Sequence, residues 1–272
     1  MTAADDSDES SVFVLTASHL QRWAVCDGAE QYPSSERLVY SCDLETMAKE
    51  AFAKAGLWGG AGGGNNPAWL RLWALDMQLH TGKGALAVLL AVANPQAATG
   101  SNIVHYAIAT LSARGECAPA KFASFSVLDH TRELPASTSA SADEPESADS
   151  AAVTNYRLVL PAGSRTGYVY SEDSILCAPV ASSGEGSAAP VDVIDLNPSP
   201  GGGGGNQILG AGTDCIAAAR PIFFTALYGL VNVIPVGGVE SVNQVRRRIS
   251  ENFSKTQFKS FSTLITLRLT PF

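Results

Sequence analysis

Charge is scarce in this sequence: Asp, Glu, Lys and Arg make up 16% of its 272 residues, against roughly 25% in an average soluble protein. The charge present leans acidic, a formal −8 from 26 acids and 18 bases. That balance argues against a chain that coats nucleic acid, because such affinity comes from clustered Lys and Arg displacing counterions. Cysteine is sparse as well. Cys26, Cys42, Cys117, Cys177 and Cys215 stand singly with no C-x-x-C pair, so neither a zinc knuckle nor a disulfide scaffold is expected, and they read as reduced core thiols. The first ten residues carry Asp5, Asp6, Asp8 and Glu9 without an apolar stretch. This is the reverse of a signal or transit peptide, and it predicts a disordered acidic terminus over 1–10 in a protein that stays inside the cell.

The familiar signatures of catalysis are missing too. The sequence contains no G-x-x-x-x-G-K-[ST], no H-E-x-x-H and no G-x-S-x-G, which removes the phosphate-cradling, zinc-protease and nucleophile-elbow geometries. The glycine runs Gly59–Gly64 and Gly201–Gly205 have no lysine after them at a strand-to-helix junction, so they read as linkers. His19, His80, His105 and His130 lie far apart, and only His130, beside Asp129, has a ligating neighbour close by. No metal, cofactor or catalytic residue is therefore assigned. A hydrolase with a dispersed site stays open as a rival, decided by whether His19, His105 or His130 converges with an acid in one cleft.

What the chain does have is a succession of short apolar runs bounded by turn formers. They are Ser11–Thr16, Leu20–Val25, Arg37–Cys42, Leu70–Met77, Ala85–Ala93, Asn102–Leu111, Phe122–Leu128, Tyr156–Leu160, Tyr168–Tyr170, Ile175–Ala178, Val191–Leu196, Ile222–Ala226 and Leu230–Ile234. Many alternate apolar and polar residues, as the strands of an antiparallel all-β protein do. One segment differs. Leu44–Ala55 strings helix formers together with apolar residues at helical spacing, with Asp43 placed to cap it and Gly56 to stop it, so one short helix is inserted among the strands. Three low-complexity loops interrupt the strands at 59–66, 133–152 and 181–206. The strands group by three or four, the rhythm of propeller blades or of a sandwich, and the length allows about three to four blades of roughly 40–45 residues.

Two segments invite a membrane. Pro221–Val239 runs nineteen residues without a charge and is followed by Arg246, Arg247 and Arg248, as a positive-inside span would be. Its prolines, its glycines and the break at Tyr228-Gly229 favour two buried strands instead. From Val236 to Phe272 six Lys or Arg face two acids, a local +4 that leaves −12 for the rest of the chain. Within this basic tail, 236–272, Arg246, Arg247, Arg248, Phe253, Phe258 and Phe261 are the residues expected to contact a membrane surface or a partner. A solvated helix ending in a strand near Leu264–Leu269 is the plain rival.

Set in order, the pieces VLTASHLQRW (14–23), LETMAKEAFAKAGLWG (44–59), LRLWALDM (70–77), VHYAIATL (104–111), RLVLP (157–161), YVYSEDSILCAPV (168–180), ILGAG (208–212) and PIFFTALYGLV (221–231) make residues 11–235 resemble a known family. That family is nucleoporin 133, a scaffold subunit of the Y-shaped nuclear pore complex, and the likeness is to the second half of its N-terminal β-propeller. The resemblance implies a partial β-propeller over 11–235 without catalytic residues or cofactor, acting as a structural scaffold at the nuclear envelope. It implies other Y-complex nucleoporins, and the nuclear envelope membrane, as partners, no small-molecule substrate or nucleic acid, and a role in pore assembly and in transport of mRNA and protein. The family's first blades, its upstream membrane-sensing loop and its α-helical stack have no counterpart in these residues, and 236–272 diverges from it. Half a ring leaves blade faces and sheet edges open, so poor solubility or pairing with another chain is expected.

Overall fold

The computed structural model describes residues 9–26, 35–58, 66–80, 84–97, 103–113, 117–134, 154–180, 188–196, 205–213 and 220–233. They form an all-β arrangement of four antiparallel sheets with one α-helix. Sheet I holds β1 (Glu9–Leu15), β2 (His19–Cys26) and β3 (Ser35–Asp43), followed by α1 (Leu44–Lys54) and a single 3-10 turn at Pro67–Trp69. Sheet II holds β4 (Arg71–His80), β5 (Ala85–Ala93), β6 (Ile103–Ser112) and β7 (Ser124–Glu133). Sheet III holds β8 (Arg157–Val159), β9 (Thr166–Tyr170), β10 (Ser174–Pro179) and β11 (Asp192–Asp195), and sheet IV holds β12 (Ile208–Thr213), β13 (Pro221–Thr225) and β14 (Gly229–Asn232). Each sheet is a meander in which consecutive strands are neighbours, and none closes into a barrel.

The sheets stack face to face in chain order, and strand periodicity explains how. In β5 every residue from Leu86 to Ala93 is buried. Leu86, Val88, Leu90 and Val92 pack toward sheet I and α1, while Ala87, Leu89, Ala91 and Ala93 pack toward sheet III. Because successive side chains point to opposite faces, a strand apolar at every position is stable only with a layer on each side. The same division recurs in sheet III, where Leu158, Val169, Leu176 and Ala178 face sheet II, and Val159, Tyr168 and Ile175 face Ile208, Phe223 and Val231 of sheet IV. Three cores thus separate four layers. The first strands of successive sheets lie against one another, β1 with β4, β4 with β8 and β8 with β12.

The helix forms where the sequence predicts it. Asp43 Oδ1 accepts from the Thr46 amide at 3.0 Å, capping the first turn, and Gly56 takes a φ of +68°, which lets the chain leave the helix without a Cβ clash. Leu44, Ala48 and Phe52 form its buried stripe, and Phe52 meets Phe125 of β7 edge-on at 4.9 Å between ring centres. Lys49 pairs with Glu45 at 2.7 Å on the outer side.

As the sequence favoured, Pro221–Thr225 and Gly229–Asn232 are two strands, joined by a turn at Ala226–Tyr228, though Phe224 and Leu230 on them are exposed; 234–239 lies outside the described residues. Among the described residues no helix is long and apolar enough to cross a membrane. Other expectations are corrected. The stretch 181–206 is not all loop: the expected run Val191–Leu196 contains β11, and Ala189, Ile194 and Leu196 are buried. β12 is a strand missing from the expected runs, because Gly210 and Gly212 dilute its apolar signal. The first strand starts at Glu9, inside the stretch expected to be disordered. Of the thiols expected in the core, Cys42 is buried and Cys177 half-buried, but Cys117 is exposed.

Candidate functional site

The residues expected to contact a membrane or partner, Arg246, Arg247, Arg248, Phe253, Phe258 and Phe261, lie outside the described residues. The histidines do not converge on one another. His19 is exposed, its Nδ1 2.8 Å from Ser18 Oγ. His80 is buried and its Nε2 donates to the Ser164 carbonyl at 3.0 Å, tying the end of β4 to the β8–β9 turn. His105 stands edge-on to Trp58, and burial lowers its pKa. No group of three metal-ligating side chains occurs among the described residues.

Only His130 enters a polar cluster of any size, and it does so through backbone irregularity. The β6–β7 register shifts between His105 and Ala107, so that Val127 and Thr131 are the paired residues and His130 lies on the extra length between them. There it meets Tyr156, a fully buried side chain just before β8. Arg132 Nε donates to the Tyr156 hydroxyl at 2.8 Å, and His130 Nε2 lies 3.0 Å from the same oxygen. Burial, then the neighbouring Arg132 charge, lowers the pKa of His130, so the neutral ring is favoured. Arg132 reaches on to Asp173 at 3.5 Å. Burial opposes ionisation of Asp173, yet hydrogen bonds from Ser171 and Ser174 and the Arg132 charge hold its carboxyl below the usual range. The arginine stands between the histidine and the acid.

This cluster is a strut between sheets II and III, and others run beside it. At a bulge between Ala74 and Asp76, the Asp76 carboxylate accepts from the Leu158 amide of β8 at 2.8 Å, while Arg157 donates back to the Leu75 carbonyl at 3.1 Å. At the far edge a parallel bridge joins Leu128 to Ala189, with the Asp129 amide donating to the Ala189 carbonyl at 2.9 Å. Polar groups thus lock the two central sheets at both ends. Neither half-buried nor buried thiol is primed as a nucleophile: burial pushes Cys177 up to about 12, and burial followed by the Asp43 charge raises Cys42.

Between sheets III and IV lies a shallow cavity of about 270 Å³, lined by Asn155, Arg157, Tyr170, Ser171 and Glu172 and by Ile208–Gly210. Its polar groups are already engaged with one another: Asn155 Nδ2 donates to Glu172 at 3.0 Å, and the Ile208 amide donates to the Glu172 carbonyl at 2.8 Å. Exposed large apolar side chains sit at the two ends of the stack, Val12, Val14 and Leu38 on sheet I and Leu209, Phe224 and Leu230 on sheet IV, with Leu227 and Tyr228 in the turn between β13 and β14. Sequence reasoning did not single out these end residues, because their patterning matches strands that are buried.

Neither a comparison with protein-family models nor one with curated proteins finds a match for this chain.

Proposed function

We propose that this chain is a structural scaffold component of the nuclear pore complex, a partial β-propeller of the nucleoporin 133 kind that presents sheet faces and loops to other Y-complex nucleoporins at the nuclear envelope. In that role it supports pore assembly and the passage of mRNA and protein, with no chemistry of its own. The observation that carries the reading is the stacking order. Consecutive antiparallel meanders pack face to face with their first strands side by side, which is the way propeller blades bury their faces around an axis.

The pieces of sequence that carry the resemblance fall on these elements in order, with VLTASHLQRW on β1–β2, LETMAKEAFAKAGLWG on α1, LRLWALDM on β4 and YVYSEDSILCAPV on β9–β10. The polar struts between sheets II and III also suit a rigid scaffold, since their charged groups are engaged within the protein, Arg132 with Asp173 and Asp76 and Arg157 with backbone of the facing sheet. Proximity labelling of the tagged chain in its own cells tests the reading. Enrichment of Y-complex subunits at the nuclear rim is expected. Labelling that recovers none of them overturns the proposal.

A further inference from the structure

The polar ties between sheets II and III answer a proton in different ways. Asp76 and Arg157 bond backbone groups of the facing sheet. His80 Nε2 donates to the Ser164 carbonyl, a bond that the protonated ring makes as well. The tie at the β7 end is of another kind. There Arg132 Nε donates to the Tyr156 hydroxyl, and His130 Nε2 lies beside the same oxygen. Arginine has no acceptor to offer, so within this cluster only a neutral imidazole can take the hydroxyl proton.

A proton on His130 removes that acceptor. Both ring nitrogens then only donate, so two cations aim N–H groups at one oxygen on a fully buried side chain. The titratable and charged groups facing His130 are Arg132 on its own strand, Tyr106 from β6, Tyr156 from the stretch before β8 and Asp173 from the β9–β10 turn. Asp173 is the one acid among them, and Arg132 stands between it and the ring. Asp129 and Glu133 are exposed on alternate positions of β7. His105 turns to Trp58 on the other face of sheet II, and 188–190, which run along β7, carry no charge. His130 is half-buried and lies on the extra length of strand at the β6–β7 register shift. A strand bends most readily at such a place, so the ring has a short way out to water.

We infer that His130 is an acid-released latch: its protonation frees residues 130–133 of β7 from Tyr156, while the Asp76–Arg157 tie and the core between sheets II and III stay in place. The release is local and reversible, and it opens one corner of the joint at the Tyr156 hydroxyl and the Arg132 guanidinium. Burial and the Arg132 charge favour the neutral ring, so the latch is closed at neutral pH and opens in acid. The inference rests on this cluster and does not depend on what the chain scaffolds.

Imidazole titration and amide hydrogen exchange of the full chain, followed by NMR from about pH 7.5 to about 5, test it. Once intrinsic exchange rates are allowed for, protection at 130–133 should fall by up to about tenfold per pH unit below the His130 midpoint, as linkage to one proton requires. Amides of the fully buried Leu89 and Ile108 should keep theirs. Arg132→Gln removes the like charge and should move the His130 midpoint up, whereas Asp173→Asn removes the acid and should move it down. His130→Gln keeps an acceptor that no proton takes away, so its exchange at 130–133 should lose the extra pH dependence. A ring that stays neutral to the end of the titration overturns the inference, as does unchanged protection at 130–133 while it titrates. Midpoints that the Arg132 and Asp173 variants move in the same direction overturn it too, and so does loss of protection throughout the core at the same pH. The labelling experiment reads partners in cells, so either proposal can fail without the other.

Discussion

Sheets II and IV are built from the same kind of residue and meet opposite fates. In sheet II, ALAVLLAVA of β5 is covered on both faces and is buried from Leu86 onward. In sheet IV, PIFFT of β13 alternates, with Phe223 fully buried and its neighbour Phe224 half in water. Two adjacent phenylalanines on one strand thus have opposite environments. Hydrophobicity commits a residue to a sheet, but the number of layers around that sheet decides whether the residue is buried.

Truncating a large apolar side chain in each sheet separates the two environments. Leu90→Ala in β5 removes a fully buried side chain between two layers and should cost about 2–5 kcal/mol of stability by urea unfolding. Phe224→Ser, at a half-exposed position, should change stability by under about 1 kcal/mol. Equal losses at the two sites would mean that the outer face of sheet IV is covered within the chain.

The polar struts come next. Tyr156→Phe deletes the oxygen shared by Arg132 and His130 while keeping the ring that packs on Tyr106 at 4.8 Å. Losing both hydrogen bonds at these half-buried partners should cost about 1 kcal/mol, measured by thermal or chemical denaturation. At the helix, Asp43→Ala removes the cap on Thr46 and should cost about 1 kcal/mol. Asp43→Asn, which keeps an acceptor, should recover most of it.

The smallest effect is a pH dependence. The folded-state pKa values of His105 and His130 are lowered, chiefly by burial, so the folded state prefers the neutral rings. Their contribution is complete above the ordinary histidine pKa near 6.5 and is lost as pH falls below it toward the folded-state values. Stability should fall as pH drops below about 6.5, and His105→Gln with His130→Gln should flatten that limb relative to wild type. An unchanged slope in the double variant would place the acid sensitivity on carboxylates instead.

Much of this architecture was legible in the residues. Ala85–Ala93 coincides with β5 because nine consecutive apolar residues flanked by turn formers fit a strand covered twice. LETMAKEAFAK announces a helix through its spacing, its Asp cap and its glycine stop. The break at Tyr228-Gly229 separates β13 from β14 because Gly229 takes a φ of +66°, and Thr225 Oγ1 accepts from the Tyr228 amide across the turn. β12 was not legible, since glycine contributes no hydrophobic signal and its pairing with β13 is non-local. The His130–Tyr156–Arg132–Asp173 strut was invisible for a related reason. It joins three separate stretches, and its geometry depends on a register shift that no local pattern encodes.

The strands other than β12, the one helix and the alternation of faces were written in local sequence, because these follow from backbone geometry and side-chain period within a few residues. Only the tertiary structure decided which faces are buried, which polar groups tie sheet II to sheet III, and that Val12, Leu38 and Phe224 are left facing water. Those outcomes depend on how many layers stack and in what order, and that is a property of the whole assembly of sheets.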